Sequence, residues 1–307
     1  MFNQPIKSRA HNILEILSKR TKLTGDLAKL LERLSAGYNG ELQFFNLLKT
    51  ELRNNPIMLF NLHLKVNGSE CQIDCLLIFQ NELILIEVKN YQGDFLIDKT
   101  NWYTLSKREI KNPLHQLNRT DLLLRQLLNK HQSHLKVRSF IIFTHPEFHL
   151  YHAPIDIPVV FPTQLKRFIQ QRQNIPCTIQ KHHHNLASLL KSRHLTSSSY
   201  ESIPDYDYAS LQKGVTCRKC DGLMVMCSQN NMSCTKCKFT ENFKIAIMRS
   251  IRDFHILFPD EKIRVKTIAD WTNNSVSRHR IRKTLSDYCV LVTKGKNSYY
   301  LLNEHFR

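Results

Sequence analysis

The chain has 307 residues, 42% of them hydrophobic, with 8 glycines and a formal net charge of +18. This length and apolar content allow two or three packed domains and exclude an intrinsically disordered chain. The strong positive charge predicts a polyanionic partner, most simply nucleic acid. The alternative is a generally basic protein with solvated Lys and Arg, because charge alone determines only non-specific affinity.

The nine cysteines are an odd number, and four of them form two Cys-x-x-Cys pairs. This pattern favours zinc binding in a reducing compartment over a disulfide framework. The N-terminus lacks an apolar signal region, and no stretch approaches the length of a membrane span. We therefore expect a cytoplasmic protein that does not bind membranes; the sequence does not indicate its oligomeric state.

Leucine and isoleucine recur at helical spacing in residues 1–36, which predicts N-terminal helices separated near Gly25. Gly37-Tyr38-Asn39-Gly40 predicts a turn, and Glu41 is expected to begin a third helix. Strand-like runs follow at 57–66, 73–79 and 82–89.

A long helix should begin at Asn112-Pro113, since proline is favoured in the first turn of a helix. Residues 137–144 predict a buried strand, and residues 159–161 a shorter one. Together with the preceding helix and strands, this order is typical of an α/β fold.

Three charged residues lie within these apolar strand segments: Asp74, Glu87 and Lys89. Charged side chains are rarely buried unless they are paired or bind a metal. Glu87 and Lys89 are two residues apart, so a strand projects them from the same face. We expect an Mg²⁺ or Mn²⁺ site for phosphodiester hydrolysis; the alternative is a structural ion pair with Asp74 as its neighbour.

Hard divalent cations prefer oxygen ligands. Asp74 and Glu87 could supply carboxylates and Val88 its backbone carbonyl, while Glu41 could bind the cation directly or through water. The cation would acidify and position a water molecule for attack on phosphorus. Lys89 would orient that nucleophile or offset the charge that develops on the phosphoryl oxygens.

Four motifs resemble the NERD (nuclease-related) domain of the PD-(D/E)xK, restriction-endonuclease-like superfamily. They are Gly37-x-x-Gly40-Glu41, Gln72-Ile73-Asp74, Ile86-Glu87-Val88-Lys89-Asn90-Tyr91-x-Gly93 and Asn112-Pro113-x-x-Gln116. The resemblance implies a central mixed sheet flanked by helices. It also implies an active site of Glu41, Asp74, Glu87 and Lys89, with Gln116 reaching in from the following helix.

We assign residues 37–180 to this NERD-like domain and residues 181–213 to a linker. The linker begins with Lys181-His182-His183-His184, a run that could bind a metal but is more typical of a solvated basic turn. Ser197-Ser198-Ser199 and the segment after Pro204 lack periodicity.

Residues 214–240 contain Cys217-x-x-Cys220 and Cys234-x-x-Cys237, which predict a zinc ribbon with structural zinc. Four sulfur ligands leave no open position on the metal, so a zinc-dependent enzyme is disfavoured. Cys227 is a possible substitute ligand with poorer spacing, and a redox switch is the other alternative.

In residues 241–307 the pattern helix, short strand (263–266), helix, helix and hairpin resembles a winged helix. The third helix should present four cations to DNA, and the hairpin two more. These residues are Arg278, Arg280, Arg282, Lys283, Lys294 and Lys296.

The leading hypothesis is a metal-dependent nuclease whose C-terminal zinc ribbon and winged helix bind the nucleic-acid substrate. DNA is favoured over RNA because the C-terminal segment resembles a reader of duplex DNA and lacks an RNP-like aromatic pattern. The alternative from another class is a DNA-binding regulator or assembly factor whose nuclease fold is inactive.

Overall fold

The computed structural model describes residues 4–195, 203–295 and 297–303. The chain divides into two compact units. The first unit contains Met1–Lys7 and Glu32–Glu201, and the second contains Ser8–Leu31 and Ser202–Arg307.

The described residues form eight α-helices and one short 3₁₀ helix, at Pro162–Gln164. The α-helices are α1 (Arg9–Ser18), α2 (Gly25–Glu51), α3 (Pro113–Lys130), α4 (Leu165–Arg172), α5 (Lys181–Ser192), α6 (Phe243–Leu257), α7 (Val265–Trp271) and α8 (Arg278–Tyr288).

The strands of the first unit are β1 (Ile57–Val66), β2 (Ser69–Ile78), β3 (Glu82–Lys89), β4 (Gly93–Asp98), β5 (Asn101–Thr104), β6 (Glu109–Ile110), β7 (Lys136–Phe143), β8 (Phe148–Tyr151) and β9 (Val159–Val160). Those of the second unit are β10 (Val215–Thr216), β11 (Leu223–Met226), β12 (Asn231–Cys234), β13 (Thr240–Asn242), β14 (Cys289–Val292) and β15 (Tyr299–Leu302).

The main sheet of the first unit has the strand order β1-β2-β3-β7-β9. β1, β2 and β3 pair antiparallel, whereas β3, β7 and β9 pair parallel. One core cluster contains side chains of α3 and α5, and another contains side chains of α2 and α4. Side chains of β3 alternate between these clusters, so both faces of the sheet are covered. The predicted mixed sheet flanked by helices is confirmed.

A second sheet of the same unit has the order β6-β5-β4-β8, with β4 and β8 parallel. Its strand β5 contributes Trp102, which is fully buried and stacks on Phe143 with ring centroids 6.0 Å apart. Phe143 is the last residue of β7, so this contact packs the small sheet against the main one.

The alternation of side chains shifts by one residue at the middle of β1 and β2. Leu59 and Leu62 enter the same core cluster although they are three positions apart in a strand, and Ile73 and Leu76 do the same. Asn61 lies between the first pair with φ of 49°, a left-handed conformation that asparagine tolerates better than β-branched residues. The pairing register is the same on both sides of this point, so the change is a local kink.

Helix α2 runs without interruption through Gly37 and Gly40, where the sequence predicts a turn. Gly40 is buried, and a Cβ atom there would lie 2.7 Å from Cβ of Asn90 and 2.8 Å from Oγ1 of Thr144. This glycine therefore permits close packing and does not end a helix. Glu41 consequently lies inside α2 and does not begin a helix.

Helix α5 occupies residues that the sequence analysis assigned to a linker. His183, Leu186 and Leu190 are buried along one face of α5, which is a helical spacing. Nε2 of His183 lies 2.9 Å from the carbonyl oxygen of Gln80, and its Nδ1 accepts a hydrogen bond from the backbone N–H of Gln180. The histidine run thus contributes to the core of the first unit.

Helix α1 belongs to the core of the second unit, where its Ile13, Ile16 and Leu17 share a cluster with side chains of α6. Just after α1, Arg20 stacks over the Trp271 ring at 3.8 Å and donates to the carbonyl oxygens of Gln212 and Gly214. Helix α1 is therefore part of the second unit, and residues 1–36 do not form a separate helical segment. Contacts between residues so distant in sequence leave no local pattern from which this could be predicted.

The rest of the second unit contains the antiparallel sheet β10-β11-β12-β13, helices α6 to α8 and the hairpin β14-β15. The strand expected at residues 263–266 is reduced to one bridge between Ile263 and Tyr300. Helix α7 already begins at Val265, because the buried Ile268, Ala269 and Trp271 have helical spacing.

Gly40→Ala should destabilise the first unit by roughly 1–3 kcal/mol, because the added methyl group overpacks a site held by Asn90 and Thr144. Gly37→Ala is the matched control, since a Cβ there meets no atom within 4 Å. It should stabilise α2 by about 0.5–1 kcal/mol. Thermal unfolding of the full chain measures both changes; equal midpoints for the two variants would contradict the packing role of Gly40.

Candidate active site

Glu87, Lys89 and Gln116 form a hydrogen-bonded group at the end of β3. Nζ of Lys89 lies 2.7 Å from Oε1 of Glu87 and 3.1 Å from Oε1 of Gln116. Nε2 of Gln116 donates to the same Glu87 oxygen at 2.5 Å. Glu87 is only 3% exposed, so its charge is paired as a buried carboxylate requires.

The first turn of α3 positions Gln116. Asn112 caps this helix by accepting a hydrogen bond from the backbone N–H of Leu114 at 2.9 Å, and Pro113 occupies the first turn. The side-chain amide of Asn112 also donates to the carbonyl oxygen of Thr100 at 2.8 Å. These bonds fix the start of α3, from which the side-chain amide of Gln116 reaches the carboxylate of Glu87.

Asp74 approaches the same region from β2. The antiparallel pairing of β2 with β3 ends at Cys75 and Ile86, so the backbone N–H of Val88 is outside that ladder. Oδ2 of Asp74 accepts this N–H at 2.8 Å. Asp74 is 7% exposed and is therefore a second buried acid beside Glu87.

Glu41 reaches the site from the interior of α2. Its Oε2 accepts a hydrogen bond of 2.6 Å from the side-chain amide of Asn61. The Oδ1 atom of Asn61 accepts the backbone N–H of Ile6 at 2.8 Å. The kink at Asn61 therefore turns a polar side chain toward Glu41, a role that the sequence analysis missed. An asparagine inside an otherwise apolar strand pattern is the feature that could have indicated it.

Asn90 and Thr144 hold α2 against the end of β3, and the sequence analysis assigned neither of them a role. Nδ2 of Asn90 donates to the carbonyl oxygen of Ala36 at 2.8 Å, and its Oδ1 accepts from Thr144 at 3.1 Å. The backbone N–H of Thr144 donates to the carbonyl oxygen of Lys89 at 3.0 Å. These bonds, with Gly40 between them, set the distance of Glu41 from β3.

Burial and mutual repulsion alter the protonation of these acids. Burial first, and then repulsion by Asp74, raise the pKa of Glu41 to about 8 and that of Glu87 to about 8. Burial also raises the pKa of Asp74, against the attraction of Lys89. Burial alone would lower the pKa of Lys89, but Glu87 and Asp74 together raise it. One cation thus faces up to three anions.

The donor set fits a hard divalent cation, because carboxylate oxygens are its preferred ligands and a cation would offset the repulsion among the acids. The carboxylate oxygens of Glu41, Asp74 and Glu87 do not all lie within 4.8 Å of one another. Among the described residues, only a cluster of four cysteines in the second unit brings its ligand atoms that close together. Shared binding of one cation therefore requires side-chain movement. The role of the Val88 carbonyl as a further ligand stays a prediction.

Cys217, Cys220, Cys234 and Cys237 form this cluster in the second unit, with their sulfur atoms all within 4.8 Å of one another. Backbone N–H groups of Lys219, Lys236 and Cys237 donate to the ligand sulfurs at 3.4 Å, as is common around metal-bound thiolates. The cluster is compatible with structural zinc.

Cys227 lies outside this cluster; it is exposed, and its Sγ donates to the carbonyl oxygen of Asn231. The other cysteines, Cys71, Cys75, Cys177 and Cys289, are free thiols of which all but Cys177 are buried.

The cations predicted for α8 do not all share one face. Arg278, Arg282 and Lys283 are exposed, whereas the guanidinium of Arg280 lies 5.4 Å from the ring centre of Phe243 on α6. Arg280 is two residues from both Arg278 and Arg282, so the helix turns it toward α6. Lys294 is exposed, and Lys296 lies outside the described residues.

Comparison with known families identifies the larger part of the first unit. Residues 36–144 match the family model of the nuclease-related domain, NERD. The chain carries a nuclease-related domain. Glu41, Asp74, Glu87, Lys89 and Gln116 all fall within the matched range, whereas the four clustered cysteines lie outside it.

Two solved structures show limited similarity to the chain. Can2 from Sulfobacillus thermosulfidooxidans, in complex with cyclic tetra-adenylate, is 15% identical with a TM-score of 0.28; the match covers 60% of this chain and 51% of that one. Protein VC1899 from Vibrio cholerae is 14% identical with a TM-score of 0.27, and the coverage is 60% and 54%. The chain thus spans about half of each protein.

No curated protein matches the chain at a significant level. Within the described residues, the structure contains no helix that is both long and apolar enough to cross a membrane. The buried acids of the nuclease-related domain are chemically suited to a hard divalent cation.

Divalent-cation binding to the nuclease-related domain should strengthen as the pH rises toward and beyond about 8. The raised pKa values of Glu41 and Glu87 mean that protons compete with the cation below this pH. Without a cation, the folded state holds more protons than the unfolded state between about pH 5 and about pH 8, so stability should fall as the pH rises. Added Mg²⁺ should then restore stability at high pH.

Thermal unfolding with and without Mg²⁺, at about pH 6 and about pH 9, measures this linkage. Glu87→Gln is the control, because it removes one titrating acid and should reduce both the decline in stability and the effect of Mg²⁺. A stabilisation by Mg²⁺ that is equal at both pH values would contradict the linkage.

Proposed function

We propose that this protein is a nuclease that hydrolyses phosphodiester bonds in DNA with the help of Mg²⁺ or Mn²⁺. The observation that carries the proposal is the group formed by Glu87, Lys89 and Gln116 beside Asp74, at the open end of a β-ladder within the nuclease-related domain. A purely structural ion pair needs neither the second buried acid nor the third in α2.

In this proposal, Asp74 and Glu87 hold the cation, Glu41 contributes directly or through water, and the Val88 carbonyl is a further ligand. A bound divalent cation supplies positive charge that stabilises the phosphoryl group and acidifies water. Lys89 stays protonated because the neighbouring acids raise its pKa, so its ammonium group can orient the nucleophile or offset charge on the phosphate. Gln116 positions both Glu87 and Lys89 through its two hydrogen bonds.

The second unit supports DNA as the substrate. Residues 202–307 contain 18 Lys and Arg against 10 Asp and Glu, which favours a polyanion. Helices α6, α7 and α8 followed by the hairpin β14-β15 have the order of a winged helix. We propose that Arg278, Arg282 and Lys283 of α8 face a DNA groove and that Lys294 and Lys296 of the hairpin contact phosphates.

One observation favours the alternative of an inactive nuclease fold that serves as a DNA-binding regulator. The ligand oxygens of Glu41, Asp74 and Glu87 are not gathered within 4.8 Å, and Glu87 already accepts hydrogen bonds from Lys89 and Gln116. Absence of Mg²⁺ or Mn²⁺ binding by the full chain, together with tight binding to DNA, would favour this alternative.

Asp74→Asn and Lys89→Ala should each reduce cleavage by at least about 100-fold, because electrostatic stabilisation at such sites contributes that much to the rate. Binding to DNA should remain, since the second unit is unchanged. Incubation of the purified full chain with duplex, single-stranded and branched DNA and with RNA, with and without Mg²⁺, measures activity and substrate class together.

Lys65→Ala is the matched control for Lys89→Ala, because Lys65 is an exposed lysine on β1 of the same sheet. It should cleave as the wild type does. Equal cleavage by the wild type and the Asp74 and Lys89 variants would reject the assigned site.

Arg282→Gln should weaken DNA binding several-fold and make the salt dependence of log K less negative by up to about 1, because a cation beside a DNA groove also neutralises the phosphates that border it. Arg280→Gln removes the same charge from the same helix but loses mainly the contact with Phe243. It should lower the unfolding temperature and leave DNA affinity nearly unchanged. Binding titrations at several salt concentrations compare the two; if Arg280→Gln weakens binding more, the DNA contact lies on another face of α8.

A further inference from the structure

The zinc-ribbon segment presents a basic surface around one aromatic ring, which neither the family match nor the α8 proposal explains. We define this knuckle surface as Arg218, Lys219, Lys236, Lys238 and Phe239. We propose that the knuckle surface binds the phosphodiester backbone of nucleic acid, without reading its sequence.

The cysteine turns require the four cations to point away from the metal cluster. Arg218 and Lys219 lie between Cys217 and Cys220 in sequence, while Lys236 and Lys238 flank Cys237. Backbone N–H groups in both turns donate to sulfur, which fixes the turns around the cluster. All four basic side chains are consequently exposed.

The two turns have matching backbone geometry. Asp221 and Lys238, each directly after a Cys-x-x-Cys pair, have φ of 58° and 59°. The N–H of each donates to the carbonyl oxygen of the first cysteine of its pair, at 3.0 Å for Cys217 and 3.1 Å for Cys234. The two turns therefore present their basic residues on the same hydrogen-bonded backbone conformation.

Phe239 joins the two turns into one surface. Its carbonyl oxygen accepts the N–H of Cys234 at 2.9 Å, and its ring is partly buried against the core of the second unit. The guanidinium of Arg218 and the ammonium of Lys219 both lie 4.9 Å from the centre of this ring. Cation–π contact thus restrains two cations of the first turn beside the second turn while leaving them exposed.

These charges are not neutralised by neighbouring acids within the part of the chain that the structure describes. Asp221 pairs with Lys19 at 3.6 Å, and the carboxylate of Glu241 is bound to Arg249. None of the four cations of the knuckle surface has an ion-pair partner in those residues. Four unpaired cations on one restrained surface are typical of phosphate contacts.

Neutralisation of the metal site does not account for all of this charge. Zinc bound by four thiolates carries a net charge of about −2, which nearby lysines can offset. Four cations exceed that need by about two charges, and their exposure leaves them free to contact an outside anion. An anion with regularly spaced charges, such as a nucleic-acid backbone, suits a surface that spans both turns.

This inference does not require that the nuclease-related domain cleave its substrate, because binding alone tests it. The test uses the full chain in buffer without Mg²⁺ or chelator, so that cleavage is prevented and zinc is retained. Fluorescence anisotropy would measure binding to labelled duplex DNA, single-stranded DNA and RNA of one length, at several salt concentrations. The three arms distinguish which nucleic acid supplies the backbone.

The knuckle variant combines Arg218→Gln, Lys219→Gln, Lys236→Gln and Lys238→Gln. It should bind at least about 10-fold more weakly, and the salt slope should become less negative by about 2 to 4, since each lost phosphate contact contributes about 0.9 for duplex DNA. The control combines Lys22→Gln, Lys29→Gln, Lys65→Gln and Lys130→Gln, four exposed positions with the same change in net charge. It should retain most of the affinity and slope of the wild type.

A thiol reagent should release one zinc ion per chain from the wild type and from both variants. This stoichiometry would show that the cysteine cluster is intact. If the knuckle variant loses zinc, the pairs Arg218→Gln with Lys219→Gln and Lys236→Gln with Lys238→Gln replace it, and each pair should weaken binding severalfold. Binding within about twofold of the control on all three nucleic acids would overturn the proposal. A wild type that binds through this surface but never cleaves would reject the proposed function and leave this inference standing.

Discussion

The first unit depends on a buried ion pair, Glu87 with Lys89, at the end of a central strand. Burial of either charge without a partner costs roughly several kcal/mol, so each side chain must find partners in the folded protein. Gln116 bonds to both, and Asp74 takes the Val88 N–H between them. The end of the β2–β3 ladder is what makes this possible, because a continued ladder would occupy that N–H with a carbonyl of β2.

The third acid needs a different means of placement, because it comes from a helix and not from a strand. Two small backbone features bring Glu41 near the sheet. Gly40 lets α2 approach Asn90 and Thr144 more closely than any side chain would allow, and the left-handed Asn61 turns an amide toward the Glu41 carboxylate. Both features cost stability in isolation, since glycine weakens a helix and a kink disturbs a strand. Their occurrence beside the same carboxylate indicates that its position matters.

Local patterns identified the strands of the main sheet and helix α3, because apolar alternation and helical spacing reflect burial directly. They also indicated Asp74, Glu87 and Lys89, since charge within an apolar strand is conspicuous. The same patterns wrongly placed a turn at residues 37–40, because the sequence does not distinguish a glycine that permits close packing, as Gly40 does, from a glycine that forms a turn. They also missed the position of α1, since its apolar face packs on α6 more than 200 residues later.

Charged residues support different conclusions in the two units, because the informative ones are buried acids in the first and exposed cations in the second. Buried acids in the first unit are unfavourable for folding, so their convergence at one location marks that location as a candidate site. Exposed cations in the second unit cost little, and their number alone indicates only affinity for polyanions. Contacts with aromatic rings also distinguish these exposed cations from one another. The ring of Phe243 draws Arg280 against α6, whereas the ring of Phe239 restrains Arg218 and Lys219 while they remain exposed. The same kind of contact thus holds one cation of α8 against α6 and orders two cations on the knuckle surface, which is why residue type without geometry cannot assign candidate contacts to nucleic acid.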